Sequence, residues 1–272
     1  MTDTLRFTLL GCGSSPGTPR PNGDWGACDP ANPKNRRTRA AALVERIREN
    51  GERTTVVIDT GPDFRAQMLM AGVEHIDAVV YTHPHADHIH GIDDLRTYVI
   101  NQRRRMPVYA DSATLRRLKQ GFDYCFETPA GSNYPPILTE NLIDHHEILK
   151  IDGRGGPITL LPLPQQHGDI VSLGFRIGGL AYCPDISGFF DTTLTLLDKL
   201  EWLVIDALQY RTHPSHFSLG EALDWIERLK PKNAILTHMH IPLDYATVES
   251  ETPAHVHPGY DGMVVEIPYG SI

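Results

Sequence analysis

The chain has 272 residues, of which 40% are hydrophobic and 22% are charged, and its formal net charge is −9. This length and composition predict a globular enzyme with a substantial core. The acidic charge argues against extended, non-specific binding to nucleic acid. No apolar run is as long as a membrane span, the amino terminus lacks the basic segment of a signal peptide, and the four cysteines are scattered, so a cytoplasmic protein with free thiols is expected.

Apolar, β-branched runs alternate with helical patterns along the chain, and this order predicts a layered domain of the α/β or α+β class. Strands are predicted over 6–10, 41–47, 54–59, 77–82, 158–163, 173–177, 180–183, 202–206, 233–237 and 263–267. Helices are predicted over 63–72, 91–101, 112–122, 189–200 and 218–230. Ser218 and Glu221 form a capping-box pattern at the start of the last helix. Because no linker or low-complexity tract interrupts the sequence, residues 1–272 are predicted to form one domain.

A dense group of metal-ligand types follows the predicted strand 77–82, where residues 82–90 read THPHADHIH. His83 and His85 are two residues apart, so in extended backbone they point to the same side. Asp87 and His88 come at the turn into the next helix, where the chain changes direction. Two pairs of ligands can therefore point at two nearby centres, and imidazole with carboxylate suits zinc, manganese or iron.

Three further residues of ligand type stand at the ends of other apolar strands. His167 follows ITLLPLPQQ, Asp185 follows LAYCP, and His238 follows NAILT. Alone, each of them is more typical of a turn or a hydrogen-bonding position. Together with the HxHxDH motif, they are predicted to complete the metal site, because loops at strand ends collect functional side chains.

The motif THPHADH, followed by these three residues, resembles the metallo-β-lactamase fold hydrolases over essentially the whole chain. The resemblance implies a four-layer αββα sandwich of the α/β class (α+β in some schemes) with two divalent metal ions at one edge. It assigns His83, His85 and His167 to the first metal, Asp87, His88 and His238 to the second, and Asp185 to both. It also implies that Asp59, in VVIDTG, supports the ligand loops from behind.

The segments GCGSSPGTP (11–19) and DPANPKNRRTRAAALV (29–44) resemble the phosphodiesterase branch of that family, in particular the cyclic phosphodiesterases of the carbon–phosphorus lyase pathway. The segments GIDDLR (91–96), THPSHFSLGEAL (212–223) and GYDGM (259–263) fit the same comparison. That group holds a structural zinc with three cysteines and a histidine that follows the last ligand. Here only Cys28 stands in the matching loop and the histidine spacing differs, which indicates that this zinc is absent.

A dinuclear, metal-dependent phosphodiesterase is therefore expected, with zinc or manganese as the metals and iron as an alternative. Two such ions acidify a bridging water, bind phosphate oxygens and neutralise the charge that builds up during displacement. They do less to protonate an alkoxide leaving group, which needs a general acid. His216, in HPSHFSLG (213–220), matches the non-ligand catalytic histidine of the branch and is the expected acid. Asp87 is expected to polarise the attacking water as well as to bind metal.

The expected substrate is a small cyclic or nucleotide-like phosphodiester, with no extended nucleic acid and no membrane as partner, and the resemblance implies a homodimer. Three alternatives stay open. The same metals serve ester and thioester hydrolases such as glyoxalase II and lactonases. A 3′-tRNA-processing endonuclease is disfavoured by the net charge and by the lack of a basic arm. A non-catalytic metal-binding protein is disfavoured by the full set of ligand types. The sequence leaves open substrate contact by five residues: Arg36, Arg37, Arg39, His255 and His257.

Overall fold

Two β-sheets form the centre of the fold in a computed structural model that describes residues 3–145 and 147–270. The first sheet has the strand order β15-β1-β2-β3-β4-β5-β6. Its strands are β1 (Thr4–Gly11), β2 (Ala41–Ile47), β3 (Arg53–Ile58), β4 (Ala78–Val80), β5 (Met106–Ala110), β6 (Leu138–Leu142) and β15 (Met263–Pro268). Strands β3 to β6 run parallel to one another, so they direct their carboxyl ends to one edge.

The second sheet has the order β11-β8-β9-β10-β12-β13-β14, and β7 pairs with β8 as well. Its strands are β7 (Leu149–Ile151), β8 (Ile158–His167), β9 (Ile170–Ile177), β10 (Leu180–Cys183), β11 (Gly188–Phe189), β12 (Trp202–Asp206), β13 (Asn233–Thr237) and β14 (Val256–Pro258). Strands β10, β12, β13 and β14 are parallel neighbours, so the residues that follow them meet at one end of the sheet.

Helices cover the outer faces of the sheets. They are α1 (Phe64–Ala71), α2 (Ala86–Ile89), α3 (Arg96–Gln102), α4 (Ser112–Phe126), α5 (Asp191–Leu194), α6 (Leu219–Leu229) and α7 (Tyr245–Glu251), with short 3-10 helices at Pro33–Asn35 and Ile92–Leu95. The predicted capping box of α6 is present, because the Ser218 hydroxyl accepts from the Glu221 amide and the Glu221 carboxylate accepts from the Ser218 amide. None of these helices is long and apolar enough to cross a bilayer.

Alternate residues of the first sheet belong to different cores, as the two-residue period of a strand requires. In β2, Ala42 and Val44 join the core that the two sheets share, whereas Ala41 and Leu43 join a second core that contains residues of α1 and α4. On the second sheet, α6 buries three apolar residues, Leu219, Ala222 and Ile226. The layers are therefore helix, sheet, sheet, helix, and the αββα prediction is confirmed.

Several predicted elements were wrong or missing. The helix predicted over 189–200 is only α5, because Phe189 pairs with Gln165 as a strand and the Thr193 hydroxyl donates to the Pro164 carbonyl. Seven elements were not predicted from the sequence: β5, β6, β7, β11, β14, α2 and α7. These elements are short, and some of their patterns are weak: β5 contains a proline and β6 (LTENL) is largely polar and exposed. Helix α7 depends on its cap, in which the Asp244 side chain accepts from the Thr247 amide.

Candidate metal centre

The predicted ligands come from loops at the carboxyl ends of strands in both sheets. The segment after β4 carries the HxHxDH motif into α2, and β8 ends on His167. Asp185 follows β10, and His238 follows β13. The fold brings all seven predicted ligands together in two groups, which are called here the imidazole group (His83, His85 and His167) and the carboxylate group (Asp87, His88, Asp185 and His238).

In the imidazole group, three ring nitrogens converge on one point. His85 Nδ1 lies 3.0 Å from His83 Nε2 and 3.3 Å from His167 Nε2. Zinc–nitrogen bonds of tetrahedral geometry would place such nitrogens about 3.3 Å apart. The spacing therefore fits three ligands of one ion. Two of these residues, His83 and His167, are buried, and His85 is exposed.

In the carboxylate group, Asp185 lies between the two histidines. Its Oδ2 is 3.3 Å from His88 Nε2, and its Oδ1 is 3.1 Å from His238 Nε2. Asp87 Oδ2 is 3.5 Å from His88 Nε2 and 3.8 Å from His238 Nε2. The same Asp185 Oδ1 is 4.0 Å from both His83 Nε2 and His167 Nε2, so this carboxylate faces both groups.

Four atoms of the carboxylate group are buried and have no hydrogen-bond partner: His88 Nε2, Asp185 Oδ2 and both ring nitrogens of His238. Buried polar atoms are nearly always paired. Unpaired atoms of this kind that point at one another therefore indicate that a cation binds between them. Imidazole and carboxylate together suit a divalent transition metal ion. The residues therefore fit the metal that the sequence predicted.

The electrostatics of the metal-free site also favour a cation. Burial opposes a charge on His88, yet the carboxylates of Asp185, Asp87 and Asp59 together raise the pKa of His88 well above its ordinary value. In the imidazole group, by contrast, burial lowers the pKa of His83 well below its ordinary value. The carboxylate group thus attracts positive charge, and the imidazole group offers neutral lone pairs.

Asp59 fixes the rings from behind, as the resemblance implied. Its Oδ2 lies 2.7 Å from His88 Nδ1 and accepts a hydrogen bond of 2.8 Å from the Thr82 hydroxyl. Since the Thr82 proton is directed to Asp59, the Thr82 oxygen accepts from His83 Nδ1 at 2.9 Å. These bonds hold the protons on the Nδ1 atoms and turn the Nε2 lone pairs of His83 and His88 towards the centre.

His216 lies beside the ligands but in neither group. Its ring stacks on that of His238 at a centroid distance of 4.6 Å and lies 4.7 Å from that of His167. His216 Nδ1 is 2.6 Å from Asp206 Oδ2, which also accepts from the Ile186 amide. Burial lowers the pKa of His216 and raises that of Asp206.

The sequence analysis missed Asp206. It is the last residue of β12 and is fully buried. The available signal was its place at the end of the apolar run WLVID, the same position that drew attention to the predicted ligands.

Three residues of the centre have left-handed backbone: Asp59 (φ 67°), Asp185 (φ 50°) and His238 (φ 57°). Non-glycine residues seldom adopt positive φ, although aspartate, asparagine and histidine do so more often than most. Such conformations persist only where the surrounding structure enforces them, and they cluster at functional sites.

The arginines left open by the sequence analysis have structural partners. Arg37 is buried and donates to the Leu243 carbonyl and the Asn35 side chain. Arg39 pairs with Asp63. Arg36 lies over the Trp25 ring.

The two histidines that were left open lie at or next to β14. His257 is in β14, with its ring 6.5 Å from that of Trp202, and the His255 carbonyl accepts from the Ala234 amide. His213 Nδ1 accepts from the Ser215 amide.

The loop around Cys28 is held by hydrogen bonds. The Cys28 thiol donates to the carbonyls of Ile241 and Leu243, and the Ala27 amide donates to Ile241 as well. This loop is thereby joined to the residues that follow His238.

Comparison with known proteins agrees with the architecture. The family described as "Beta-lactamase superfamily domain" matches residues 54–239. The chain belongs to this superfamily, and its fold is the metallo-β-lactamase sandwich. The family predicted from the HxHxDH motif and the strand-end residues is thus confirmed.

Among solved structures, the chain is similar to a diphosphatase of the PhnP family, with 34% identity, a TM-score of 0.87 and coverage of 98% of both chains. It is 34% identical over 264 residues to an octanoyltransferase of Porphyromonas gingivalis, a match that covers 95% of this chain and 51% of the relative. It is 24% identical over 163 residues to ribonuclease Z of Aeropyrum pernix, covering 59% and 46% of the two chains. The chain spans about half the length of these two curated relatives.

Proposed function

We propose that the protein hydrolyses a small phosphodiester, cyclic or nucleotide-like, with two divalent metal ions, zinc or manganese, and with His216 as general acid. The observation that carries the proposal is the His216–Asp206 pair, 2.6 Å apart, beside both ligand groups. A thioester expels a thiolate, which departs with little help from an acid, whereas an alkoxide that leaves phosphorus needs a general acid.

The imidazole group would hold one ion and the carboxylate group the other, with Asp185 facing both. When bound, such ions activate water, bind the phosphate oxygens and neutralise the charge that develops on them. Asp87 Oδ2 is within 3.8 Å of the histidines of its group, and its side chain is 11% exposed. It can therefore accept a hydrogen bond from the incoming water and orient it.

His216 supplies the proton for the leaving oxygen. Asp206 accepts from Nδ1, which fixes the ring and leaves Nε2 as the position that delivers the proton. Asp206 itself is held by the Ile186 amide, so the pair keeps its geometry while the proton moves. The proton passes from Nε2 to the departing alkoxide, and His216 is left neutral.

The relatives support phosphorus chemistry. The 34%-identical structure is a diphosphatase, and ribonucleases cleave phosphodiesters. The octanoyltransferase has an unmatched half, so its name need not describe the matched half. The cysteines are also poor candidates for a thiol that carries an acyl group. Burial raises the pKa of Cys12 well above its ordinary value, and it raises the pKa of Cys183 as well.

The test is hydrolysis of bis(p-nitrophenyl) phosphate by zinc- and manganese-loaded protein, wild type against His216→Ala, with bound metal measured in both. We expect the variant to keep its metals and to lose roughly 10²- to 10⁴-fold in rate. Nitrophenolate is a good leaving group, so the loss should be larger with a cyclic ribose phosphodiester. His213→Ala is the matched control and should retain most of the rate.

Two results would count against the proposal. A fully metal-loaded wild type that leaves every diester intact would direct the search to thioesters and lactones. An active His216→Ala variant with normal metal content would remove the general acid from the scheme.

A further inference from the structure

We propose that Arg20, His240 and Ser14 form a subsite that binds a second phosphate group of the substrate, next to the phosphate that is cleaved. The inference rests on the proposed function and narrows it to substrates that carry a second phosphate group. These three residues are called here the Arg20 chain. Arg20 Nη2 donates to His240 Nε2 at 2.6 Å, and His240 Nδ1 lies 2.8 Å from the Ser14 hydroxyl.

The Arg20 chain adjoins the carboxylate group. His240 lies two residues after the ligand His238, and the Ser14 amide donates to the carbonyl of Met239 between them. The amide of Met239 in turn donates to the Cys12 carbonyl, so the loop of Ser14 is fastened to the ligand loop on both sides. An oxygen of a substrate that reaches His238 is therefore close to this loop.

The direction of the hydrogen bonds follows from chemistry. Arginine has no acceptor, so His240 Nε2 must accept from Arg20 and carry no proton. The proton of the neutral ring is then on Nδ1, which donates to the Ser14 oxygen. The hydroxyl hydrogen of Ser14 is left for another acceptor, and Ser14 is 2% exposed. Among the described hydrogen bonds, none takes this hydrogen.

Arg20 also has donors to spare. Its Nη1 donates to Asp24 at 3.2 Å and its Nη2 to His240, whereas a guanidinium carries five N–H groups. Both side chains of the Arg20–Asp24 pair are 40% exposed. A pair this exposed contributes little to stability, so a phosphate can replace the carboxylate of Asp24. Phosphate suits arginine because the guanidinium fork binds its oxygens in pairs.

The neighbouring arginines are less suited to this role. Arg39 binds both oxygens of Asp63, and Arg37 is buried among carbonyl and amide partners. The Arg20 chain is thus the place beside the carboxylate group where a cation, a polarised hydroxyl and partial exposure coincide.

The test compares diadenosine diphosphate with the p-nitrophenyl ester of thymidine 5′-phosphate, which has a single phosphate. The quantity to measure is the ratio of kcat/KM for the two substrates. Loss of one charge-assisted contact is worth roughly 10- to 100-fold, so Arg20→Ala should lower this ratio by about that factor, mainly through KM. Arg20→Lys should give an intermediate value. Arg116→Ala, at an exposed position of α4, is the matched control.

A second measurement does not depend on catalysis. Calorimetry gives the Kd of α,β-methylene-ADP and of AMP for the metal-loaded protein. Arg20→Ala should weaken the methylene-ADP complex more than the AMP complex, and Asp24→Asn, which removes the competing carboxylate, should strengthen it. Asparagine still provides the Oδ1 that accepts from the Gly26 amide, so the loop should keep its shape.

The outcomes separate this inference from the proposed function. A parallel loss for both substrates and both ligands would show that Arg20 only holds its loop, and would overturn the subsite, as would an unchanged ratio. If wild type cleaves neither substrate but binds methylene-ADP in an Arg20-dependent way, the hydrolytic proposal fails and the subsite stands.

Discussion

The two ligand groups differ in charge and in exposure. The imidazole group has three neutral rings, one of them exposed. The carboxylate group has two aspartates, and Asp59 lies directly behind its His88. A buried cation gains more from carboxylates than from imidazoles, because the low dielectric strengthens each charge pair. One centre can thus combine an ion held firmly by charge with an ion that is more open to exchange and to substrate.

The largest effect is expected from Asp185→Asn, because among the described residues Asp185 is the carboxylate that lies within 4.0 Å of ring nitrogens in both groups. Outer hydrogen-bond partners of ligands are worth about 10- to 100-fold in metal affinity or activity, so loss of a shared ligand should exceed that range. The variant should lose metal from both groups and more than about 100-fold in activity. Metal analysis after dialysis and phosphodiester assays would check this. Asp152→Asn, at an exposed position, is the control. Normal metal content in the variant would show that Asp185 is not a ligand shared by the two groups.

The Asp59→Asn substitution should weaken metal binding in the two groups to different extents. Asp59 contacts His88 directly but reaches His83 only through Thr82. We expect about a 10- to 100-fold loss of affinity for the ion of the carboxylate group and a smaller loss for the other. Zinc titration of the metal-free protein would resolve the two affinities. In Thr82→Val, the loss of metal affinity should instead be larger at the imidazole group than in Asp59→Asn. Equal losses in both variants would mean that the groups share one support.

A smaller effect concerns the scaffold beside the carboxylate group. Asp261 accepts from the amides of Cys12 and Thr38, and the Cys12 carbonyl accepts from Met239, next to His238. Burial raises the pKa of Asp261 from 3.8 to about 6. The folded state therefore binds a proton between these pH values that the unfolded chain does not bind, and stability falls as pH rises through about 6.

Asp261→Asn removes this titration. Relative to the variant, wild type should lose about 2 kcal/mol of unfolding free energy between pH 4 and pH 7, since one pKa unit is worth about 1.4 kcal/mol and part of the loss has already occurred at pH 4. Urea titrations of the metal-free proteins at several pH values would measure it, and the comparison cancels titrations that both proteins share. A constant difference across that range would contradict the expectation.

The sequence predicted those strands and site residues that local residue patterns determine. Apolar runs located β1, β2 and β3, because residues on both faces of these strands pack in a core. The HxHxDH motif and the strand ends located the seven residues that the structure brings together, since loops after parallel strands meet at one edge.

Features that depend on distant contacts could not be predicted in this way. The short strands β5 and β6 are defined by pairing with each other and with β4. Asp206 is distinguished from other strand-end aspartates only by its contact with His216. The Arg20 chain joins residues 220 positions apart, and no periodic pattern connects them.

The left-handed backbone at Asp59, Asp185 and His238 also limits which side chains these positions accept. Glutamate offers the same carboxylate as aspartate, and cysteine binds zinc well, but neither is among the residue types enriched at positive φ. The backbone conformation at these positions would therefore disfavour the substitution of other side chains to suit another metal. His85, with a φ of −69°, carries no such restriction. The imidazole group is thus the part of the centre where the backbone limits the choice of side chain least.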